Sequence, residues 1–205
     1  LLKEKNQVER RHEKVISFLK DNTFFNFYSN IIYMGKLNVL VAGSTGYIGI
    51  QLIKHLCVHT KINIKYLCGN SSVGKKISFY DKSLSKYKLP KIVKFNKKYL
   101  FDVDIVFTAL PNGEAQMLSN LLLPNNLLID LSADFRITST SVYKKYYHIS
   151  HKSKSNIKKS IYYLPEINNK NINNYKIISC PGCYPTSILI PLVPLLKRKL
   201  IHKNN

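Results

Sequence analysis

The stretch LNVLVAGSTGYIG, residues 37–49, decides the fold of this 205-residue chain. Its first six residues form a short apolar run with two valines, which predicts a buried strand. Glycines follow at positions 43, 46 and 49, and residues 50–59 then carry apolar side chains at helical spacing. The order of strand, glycine turn and helix predicts the first βα unit of a parallel sheet.

The glycine turn has the features of a phosphate-binding loop. The first glycine permits a tight turn, the second lets backbone N–H groups approach a pyrophosphate, and the third allows the helix to pack closely on the strand. The spacing is G-x-x-G-x-x-G, not the more common G-x-G-x-x-G, and the alternative is a tight βα turn that binds nothing. The predicted dinucleotide-binding residues of this turn are Gly43, Ser44, Thr45, Gly46, Tyr47, Ile48 and Gly49.

The loop after the second predicted strand, residues 62–68, bears on the choice of dinucleotide. NAD enzymes place an acid about 20 residues after the glycines, where it binds the ribose 2′-hydroxyl. No acid occurs there; instead Ser71, Ser72 and Lys75 offer hydroxyls and a cation suited to a 2′-phosphate. We therefore expect NADP(H) as the cofactor, and the alternative is an ordinary polar surface loop.

Further strand and helix patterns alternate along the chain. Strands are predicted at 103–110, 127–131 and 176–179, and a helix at 113–123. Residues 144–176 are rich in Lys, Asn and Ser and are predicted to be mostly loop, with a short strand near 161–164. The fold class is therefore α/β, a doubly wound, mostly parallel Rossmann-type sheet with ligands at the carboxyl ends of its strands.

Composition excludes several classes of protein. A hydrophobic fraction of 45% and a charged fraction of 21% are typical of a folded domain, and no apolar run is long enough to span a bilayer. The net charge of +21 comes from 28 Lys and only 4 Arg, spread singly or in pairs, whereas specific nucleic-acid binders rely on Arg. Four irregularly spaced cysteines do not form a disulfide framework. We expect a cytoplasmic protein that binds neither a membrane nor a specific nucleic acid.

A candidate nucleophile lies near the end of the sequence. Cys183 belongs to the segment PGCYPT at 181–186, which precedes a long apolar helix predicted at 187–200. The free N–H groups and dipole of a helix start favour the thiolate, the nucleophilic form of cysteine. Beside a nicotinamide site, such a thiolate can hold an acyl group as a thioester.

Five motifs in this order resemble one enzyme family. They are AGSTGYIG at 42–49, ALP at 109–111, DLSADFR at 130–136, LPE at 164–166 and PGCYPT at 181–186. From Met34 onward the chain resembles N-acetyl-gamma-glutamyl-phosphate reductase, an NADPH enzyme of arginine biosynthesis. The resemblance implies that Cys183 attacks the acyl phosphate of a small-molecule substrate, N-acetyl-glutamyl 5-phosphate, and that Arg136 belongs to the substrate or phosphate pocket. It also implies a homo-oligomer when complete.

Two alternatives remain open beside this resemblance. One is a related semialdehyde dehydrogenase, of the lysine-route or the aspartate type, and the sequence that follows Cys183 favours the arginine enzyme. The other is a non-catalytic NADP-binding fragment.

The sequence departs from the family pattern at two positions. The family usually has His where Asn112 stands and Asn where Cys180 stands. The second change creates a C-x-x-C pair with Cys183, but a zinc site needs four ligands, and His55 and His59 are better explained as helix-surface residues. We therefore expect no metal site.

The resemblance also predicts how the chain is divided. Residues 1–33 are expected to be a non-native extension before a start at Met34, and residues 34–182 the NADP-binding domain. Residues 183–205 are then the start of a truncated α+β catalytic and dimerisation domain. Because the family's acid/base histidine belongs to that second domain, the chain alone is expected to be inactive.

Overall fold

A computed structural model describes residues 35–168 and 171–201, so the predicted extension and the start at Met34 lie outside the described residues. Within these residues seven strands form one sheet with the order β3-β2-β1-β4-β5-β7-β6, and each neighbouring pair runs parallel. The strands are β1 (Leu37–Ala42), β2 (Ile62–Cys68), β3 (Ile92–Val93), β4 (Ile105–Thr108), β5 (Leu127–Asp130), β6 (Ser160–Tyr162) and β7 (Ile177–Ser179). The predicted α/β fold with a parallel sheet is confirmed.

Helices lie in all the connections between successive strands except that from β6 to β7, as far as the described residues show. The α-helices are α1 (Tyr47–Cys57), α2 (Glu114–Ser119), α3 (Thr140–Tyr147), α4 (Lys154–Ile157) and α5 (Cys183–Lys197), and 3-10 helices cover Ile77–Phe79, Lys82–Lys86 and Lys97–Asp102. None of the helices in the described part of the chain is long and apolar enough to cross a membrane.

The core consists of two apolar layers, one on each face of the sheet. Val39 and Val41 of β1 point into one layer with Ile53 of α1, and Leu40 points into the other with Phe135. Because alternate residues of a strand face opposite sides, a strand covered on both faces must be apolar throughout, and this explains the continuous apolar run of β1.

The sheet order places a topological switch between β1 and β4. The chain runs from β1 through β2 to β3 on one side, and then returns to β4 on the other side of β1. In such sheets the loops that follow the two central strands diverge and leave a crevice at their carboxyl ends. The glycine turn after β1 therefore lies at the edge where this fold binds ligands.

The predicted elements agree with the structure in type and differ at their ends. The second strand has the predicted bounds, whereas β4 is shorter than the predicted strand at 103–110. The helix predicted at 113–123 ends at Ser119, because Leu121 and Leu122 donate to carbonyls three residues back and tighten the chain into a turn. The last helix begins at Cys183, four residues earlier than the apolar pattern indicated.

The loop-rich region 144–176 also holds helical structure that the sequence pattern did not predict. Helix α3 enters it and α4 lies within it, while the predicted short strand appears as β6. Ser139 caps α3 by accepting a hydrogen bond from the N–H of Val142, and Tyr143 anchors the helix because its side chain is fully buried. A single buried aromatic residue is too weak a periodic signal to predict such a helix.

Candidate functional site

The turn between β1 and α1 is built on two glycines that pack against each other. Gly43 has a φ of +83°, a conformation that L side chains rarely adopt. A Cβ on Gly49 would overlap the carbonyl oxygen of Gly43, so only glycine lets α1 approach the strand this closely. The N–H groups of Gly43 and Ser44 both donate to the carbonyl of Cys68 at 3.1 Å, which ties the turn to the end of β2.

Gly46 has a different role from these two glycines. A Cβ at this position would meet only the Gly43 carbonyl oxygen, at 3.6 Å. Gly46 is also the N-cap of α1, where it supplies no capping side chain, and the first turn of the helix carries no acid. The positive end of the α1 dipole therefore faces open space beside a residue without a side chain, an arrangement that fits a dinucleotide pyrophosphate.

A cleft of about 530 Å³ opens at this turn, between the loops that follow β1, β2 and β4. Its floor is the end of β1 and the start of the loop after β4, and its far wall is one face of α2. The lining residues are Ala42, Gly43, Thr45, Gly46, Cys68, Gly69, Asn70, Ser71, Phe95, Ala109, Leu110, Pro111, Glu114, Met117, Leu118 and Leu121.

The structure brings some of the predicted dinucleotide-binding residues to the cleft. Gly43, Thr45, Gly46 and Ser71 line it. Ser44 is instead buried, and its hydroxyl donates to the Cys68 carbonyl at 3.0 Å. The side chains of Tyr47 and Ile48 are exposed on the first turn of α1, and Gly49 packs under the turn.

Two of the residues proposed for a 2′-phosphate are engaged elsewhere in the loop. Ser72 is buried, and its hydroxyl accepts a hydrogen bond from Tyr80 at 2.6 Å. The Lys75 ammonium lies 4.9 Å from the centre of the Phe79 ring. Ser71 is therefore the residue of the three whose position at the cleft is given by the structure.

One wall of the cleft was missed by sequence reasoning. Glu114, Met117, Leu118 and Leu121 fall at i, i+3, i+4 and i+7 and present a single face of α2 and its following turn to the cleft. Three of the four are apolar, and Phe95 adds an aromatic ring to the same cavity. The helical spacing was visible in the sequence, but it is equally typical of a helix face that packs on a core.

The candidate nucleophile, Cys183, lies at the same edge of the sheet as the cleft, the edge formed by the carboxyl ends of the strands. Cys183 is exposed as the first residue of α5, which follows β7 after a three-residue loop. Cys180, at the end of β7, is partly buried, and its N–H donates to the Asp130 carbonyl at 2.8 Å. Burial raises the pKa of the Cys180 thiol to about 12, helped by the neighbouring Asp130 and opposed by Arg136. Cys180 is therefore a protonated, structural thiol at neutral pH.

Arg136 lies between the Cys180 loop and the end of β5. Its Nε donates to the Cys180 carbonyl and its Nη2 to the Leu131 carbonyl, both at 2.9 Å. Its Nη1 lies beside Gly182, where a Cβ would approach it to 3.0 Å. The structure thus places Arg136 next to the cysteine loop, with two of its nitrogens bound to backbone carbonyls.

Asp130 is fully buried at the carboxyl end of β5. Its Oδ1 accepts hydrogen bonds from the Thr108 hydroxyl at 2.7 Å and from the Ser132 N–H at 2.9 Å. Within the described residues, its Oδ2 and the Oγ of its strand partner Ser179 have no hydrogen-bond partner. Burial raises the pKa of this carboxyl, and the hydrogen bonds from Thr108 and Ser132 oppose the shift.

The second acid of the DLSADFR motif holds the loop after β4. Asp134 accepts from the N–H of Gly113 at 2.7 Å and from the N–H of Gln116 at 3.1 Å, so it caps the start of α2. The Tyr143 hydroxyl and the Gln116 side chain donate to the same carboxylate, at 2.6 and 3.1 Å. Sequence reasoning assigned no role to Asp134.

His148 and His151, in the loop-rich region, have structural surroundings. His151 is buried, with its Nε2 2.8 Å from the Asp134 carbonyl, and His148 is the C-cap of α3. Asn112, at the position where the family usually has His, is exposed on the loop before α2. Among residues 35–168 and 171–201, no group of three or more His, Cys, Asp or Glu is placed to hold a metal ion.

The comparison with protein families decides the classification of the chain. Residues 38–175, more than half of the sequence, match the model described as the NAD binding domain of semialdehyde dehydrogenase. The chain belongs to the semialdehyde dehydrogenase NAD-binding domain family. The matched segment begins in β1 and contains the glycine turn, the cleft and Arg136, and it ends before β7.

Curated relatives confirm the resemblance drawn from the five motifs. N-acetyl-gamma-glutamyl-phosphate reductase of Ehrlichia canis is 39% identical over 171 residues, and that of Ehrlichia chaffeensis 41% identical over 167 residues. The Brachyspira hyodysenteriae reductase is 40% identical over 177 residues. These alignments cover 81–83% of this chain but 48–50% of each relative. The chain thus spans about half the length of the relatives it matches.

Solved structures share the fold at lower identity. Aspartate semialdehyde dehydrogenase from Francisella tularensis superposes with a TM-score of 0.55 at 16% identity, covering 80% of this chain and 41% of that one. Aspartate semialdehyde dehydrogenase II from Vibrio cholerae gives 0.54 at 18% identity, covering 80% and 43%. At such low sequence identities these superpositions show that the fold is shared and nothing further.

Proposed function

We propose that this chain forms the cofactor-binding half and supplies the nucleophile of a cytoplasmic NADPH-dependent N-acetyl-gamma-glutamyl-phosphate reductase. The reaction converts N-acetyl-glutamyl 5-phosphate to the 5-semialdehyde and phosphate, a step of arginine biosynthesis. The observation that carries the proposal is the placement of the glycine-turn cleft and of Cys183 at the same, carboxyl edge of one parallel sheet.

The proposed cofactor contacts follow from the open side of the glycine turn. A pyrophosphate would lie against Gly46, which lines the cleft at the start of α1, and the first turn of that helix carries no acid. Ser71 would face the adenosine ribose, since it lines the cleft beyond the end of β2. NADPH would supply the hydride for the reduction. A preference for NADPH over NADH is supported by the absence of an acid in the sequence GNSSVGKK at 69–76.

The proposed role of Cys183 is nucleophilic catalysis. Its thiolate attacks the acyl carbon, the C–S bond forms, and the C–O bond to phosphate breaks with its electron pair leaving on the phosphate. The resulting thioester is the species that is reduced, and the thiolate is regenerated when the aldehyde departs. Exposure at the first residue of α5 supports this role, because the acyl group can reach the sulfur and the helix start favours negative charge.

Alkylation at pH 8 tests the assignment of the nucleophile on the chain itself. Burial raises the pKa of the Cys57 thiol and raises that of the Cys68 thiol to about 12, as it does for Cys180. Iodoacetamide is therefore expected to modify Cys183 first, as mapped by mass spectrometry. N-acetyl-glutamyl 5-phosphate should protect Cys183 from this reaction, whereas aspartyl phosphate should protect it less. The matched variant Cys180→Asn should keep both the reactivity and the protection, and Cys183→Ser should lose both.

The outcomes separate the alternatives. Better protection by aspartyl phosphate would favour an aspartate-type dehydrogenase, whose identity with this chain is 16–18% in the solved structures compared with 39–41% for the reductases above. NADPH binding without protection by either acyl phosphate would indicate a non-catalytic dinucleotide-binding protein. Either result would overturn the proposed reaction.

A further inference from the structure

We propose that Arg136 is a positioning residue that holds the loop bearing Cys183, in addition to any contact with substrate. The inference rests on the proposed function, since Cys183 is the nucleophile of that reaction, but its test requires neither cofactor nor acyl phosphate. It concerns how residues 180–183 are fixed at the edge of the sheet.

The Arg136 guanidinium connects the chain segments that follow β5 and β7, beyond the point where the backbone hydrogen bonds between these two strands end. The ladder between β5 and β7 ends at the pair Asp130 and Ser179, followed by the bond from the Cys180 N–H to the Asp130 carbonyl. Arg136 continues this connection by donating to the carbonyls of Leu131 and Cys180, one from each side, at 2.9 Å. Cys180 is thereby held at both its N–H and its carbonyl, three residues before the nucleophile.

Gly182 gives a second and independent observation. It is the N-cap of α5, with a φ of −71°, which any residue can adopt, so backbone conformation alone does not require glycine there. What a side chain would meet is Arg136: a Cβ would lie 3.0 Å from Nη1 and 3.6 Å from the guanidinium carbon. The turn is therefore packed around the guanidinium, which lies directly beside the N-cap of the helix that begins with Cys183.

The contacts require the shape of arginine as well as its charge. Nε and Nη2 donate in two directions from one rigid plane, a geometry that a lysine ammonium on a flexible stem cannot reproduce. At the same time the guanidinium places a permanent positive charge beside Gly182, the N-cap of the helix that begins with Cys183. Positioning and charge can therefore be separated by comparing Arg136→Lys, which keeps the charge, with Arg136→Met, which keeps neither.

Hydrogen exchange measures the positioning role. In Arg136→Met and in Arg136→Lys, the amide protons of Cys180 and Thr186 are expected to exchange at least roughly tenfold faster, because the loop loses its tether to Leu131. The amides of Val39 and Val41 in β1 should be unchanged. Gly182→Ala should speed exchange at Cys180 with the arginine still present, because its Cβ displaces Nη1. Lys65→Met removes a positive charge on β2 and should leave all of these rates unchanged.

The alkylation rates of Cys183 separate the effect of the Arg136 charge from the effect of its hydrogen bonds. The ratio of the iodoacetate to the iodoacetamide rate at Cys183 reports local positive charge, because only iodoacetate is an anion. This ratio should fall roughly twofold or more in Arg136→Met and stay at the parent value in Arg136→Lys and Lys65→Met. A purely structural residue would leave the ratio unchanged.

Two results would overturn the inference. One is exchange at Cys180 and Thr186 within twofold of the parent in Arg136→Met, and the other is equal acceleration in β1, which would mean global destabilisation. Failure of the proposed reaction would instead appear as missing protection of Cys183 by acyl phosphates in the parent chain, with these exchange and alkylation results intact.

Discussion

Gly49, in the first turn of α1, packs directly against the carbonyl of Gly43, and this contact sets the distance between the helix and β1. The helix start, which has no side-chain cap and no acid in its first turn, is thereby held at the mouth of the cleft. A residue that has no side chain thus sets the position of the helix start at the cleft.

Replacing Gly49 should therefore destabilise the whole domain. In Gly49→Ala the new Cβ overlaps backbone atoms that cannot move aside, and the expected loss is about 1–3 kcal/mol of unfolding free energy. Gly46→Ala is the matched control, because its Cβ meets an ordinary contact at 3.6 Å. Thermal unfolding should show a lower Tm for Gly49→Ala by several degrees. Equal Tm values for the two variants would contradict the packing described here.

The buried Asp134 carboxylate should be a major source of stability for the loop after β4. Asp134→Ala leaves the buried N–H of Gln116 and the N–H of Gly113 without their acceptor, and the expected cost is about 3 kcal/mol or more, since each such group costs about 1–3 kcal/mol. Tyr143→Phe removes one hydrogen bond to the carboxylate and the one that the hydroxyl accepts from the Gln116 side chain, but it leaves both backbone N–H groups paired and should cost less, about 1.5–3 kcal/mol. Urea unfolding of both variants checks the order; a larger loss in Tyr143→Phe would contradict it.

The raised pKa of Asp130 predicts that the stability of the folded protein depends on pH. Because burial raises its pKa in the folded protein above the unfolded value, the folded state binds more protons, and stability falls as the pH rises above about 4. Asp130→Asn should remove this part of the decline and be at least as stable as the parent at pH 8, because the buried amide carries no charge that burial would penalise. Unfolding free energies from pH 4 to 8 measure the effect.

The control for this titration is Asp81, which shows the opposite shift. Its hydrogen bond with Lys54, 2.6 Å away, and those from Ser83 lower its pKa to about 2. The stabilisation of the folded state by ionised Asp81 is therefore present above about pH 4 and is lost only as the pH falls towards 2. Asp81→Asn should leave the slope between pH 4 and 8 unchanged, and a steeper decline in Asp130→Asn than in the parent would reverse our assignment.

Ser71 and Ser72 should differ in their effect on the cofactor. Ser71 lines the cleft, so Ser71→Asp should weaken NADPH binding by charge repulsion, roughly tenfold or more, and weaken NADH binding less. The Ser72 hydroxyl is buried against Tyr80, so Ser72→Ala should lower stability and leave the NADPH to NADH ratio unchanged. Fluorescence titration with both nucleotides distinguishes the two; equal parental affinities would remove the basis of the proposed preference.

The sequence predicts the sheet and the glycine turn because both depend on local patterns. Apolar runs and three glycines are read directly from residues 37–49, and β2 was predicted with its observed bounds. The contacts of Arg136 and Asp134 could not be predicted, because their partners are backbone atoms of Cys180 and Gly113, brought together only by the order of the strands. The proposed roles of Ser72 and Lys75 depended equally on side-chain direction, which a loop sequence does not encode.

The most direct test of the account is NADPH binding by Gly46→Asp compared with Gly46→Ser. Both side chains are favoured at a helix N-cap, and the φ of −72° and ψ of 162° at Gly46 suit them, so both variants should fold at least as stably as the parent. If the pyrophosphate lies against Gly46, the aspartate carboxylate takes its place and repels it. Fluorescence titration should then show NADPH affinity reduced more than roughly tenfold in Gly46→Asp and much less in Gly46→Ser. Parental affinity in a folded Gly46→Asp would contradict the account, because the dinucleotide would have to bind elsewhere.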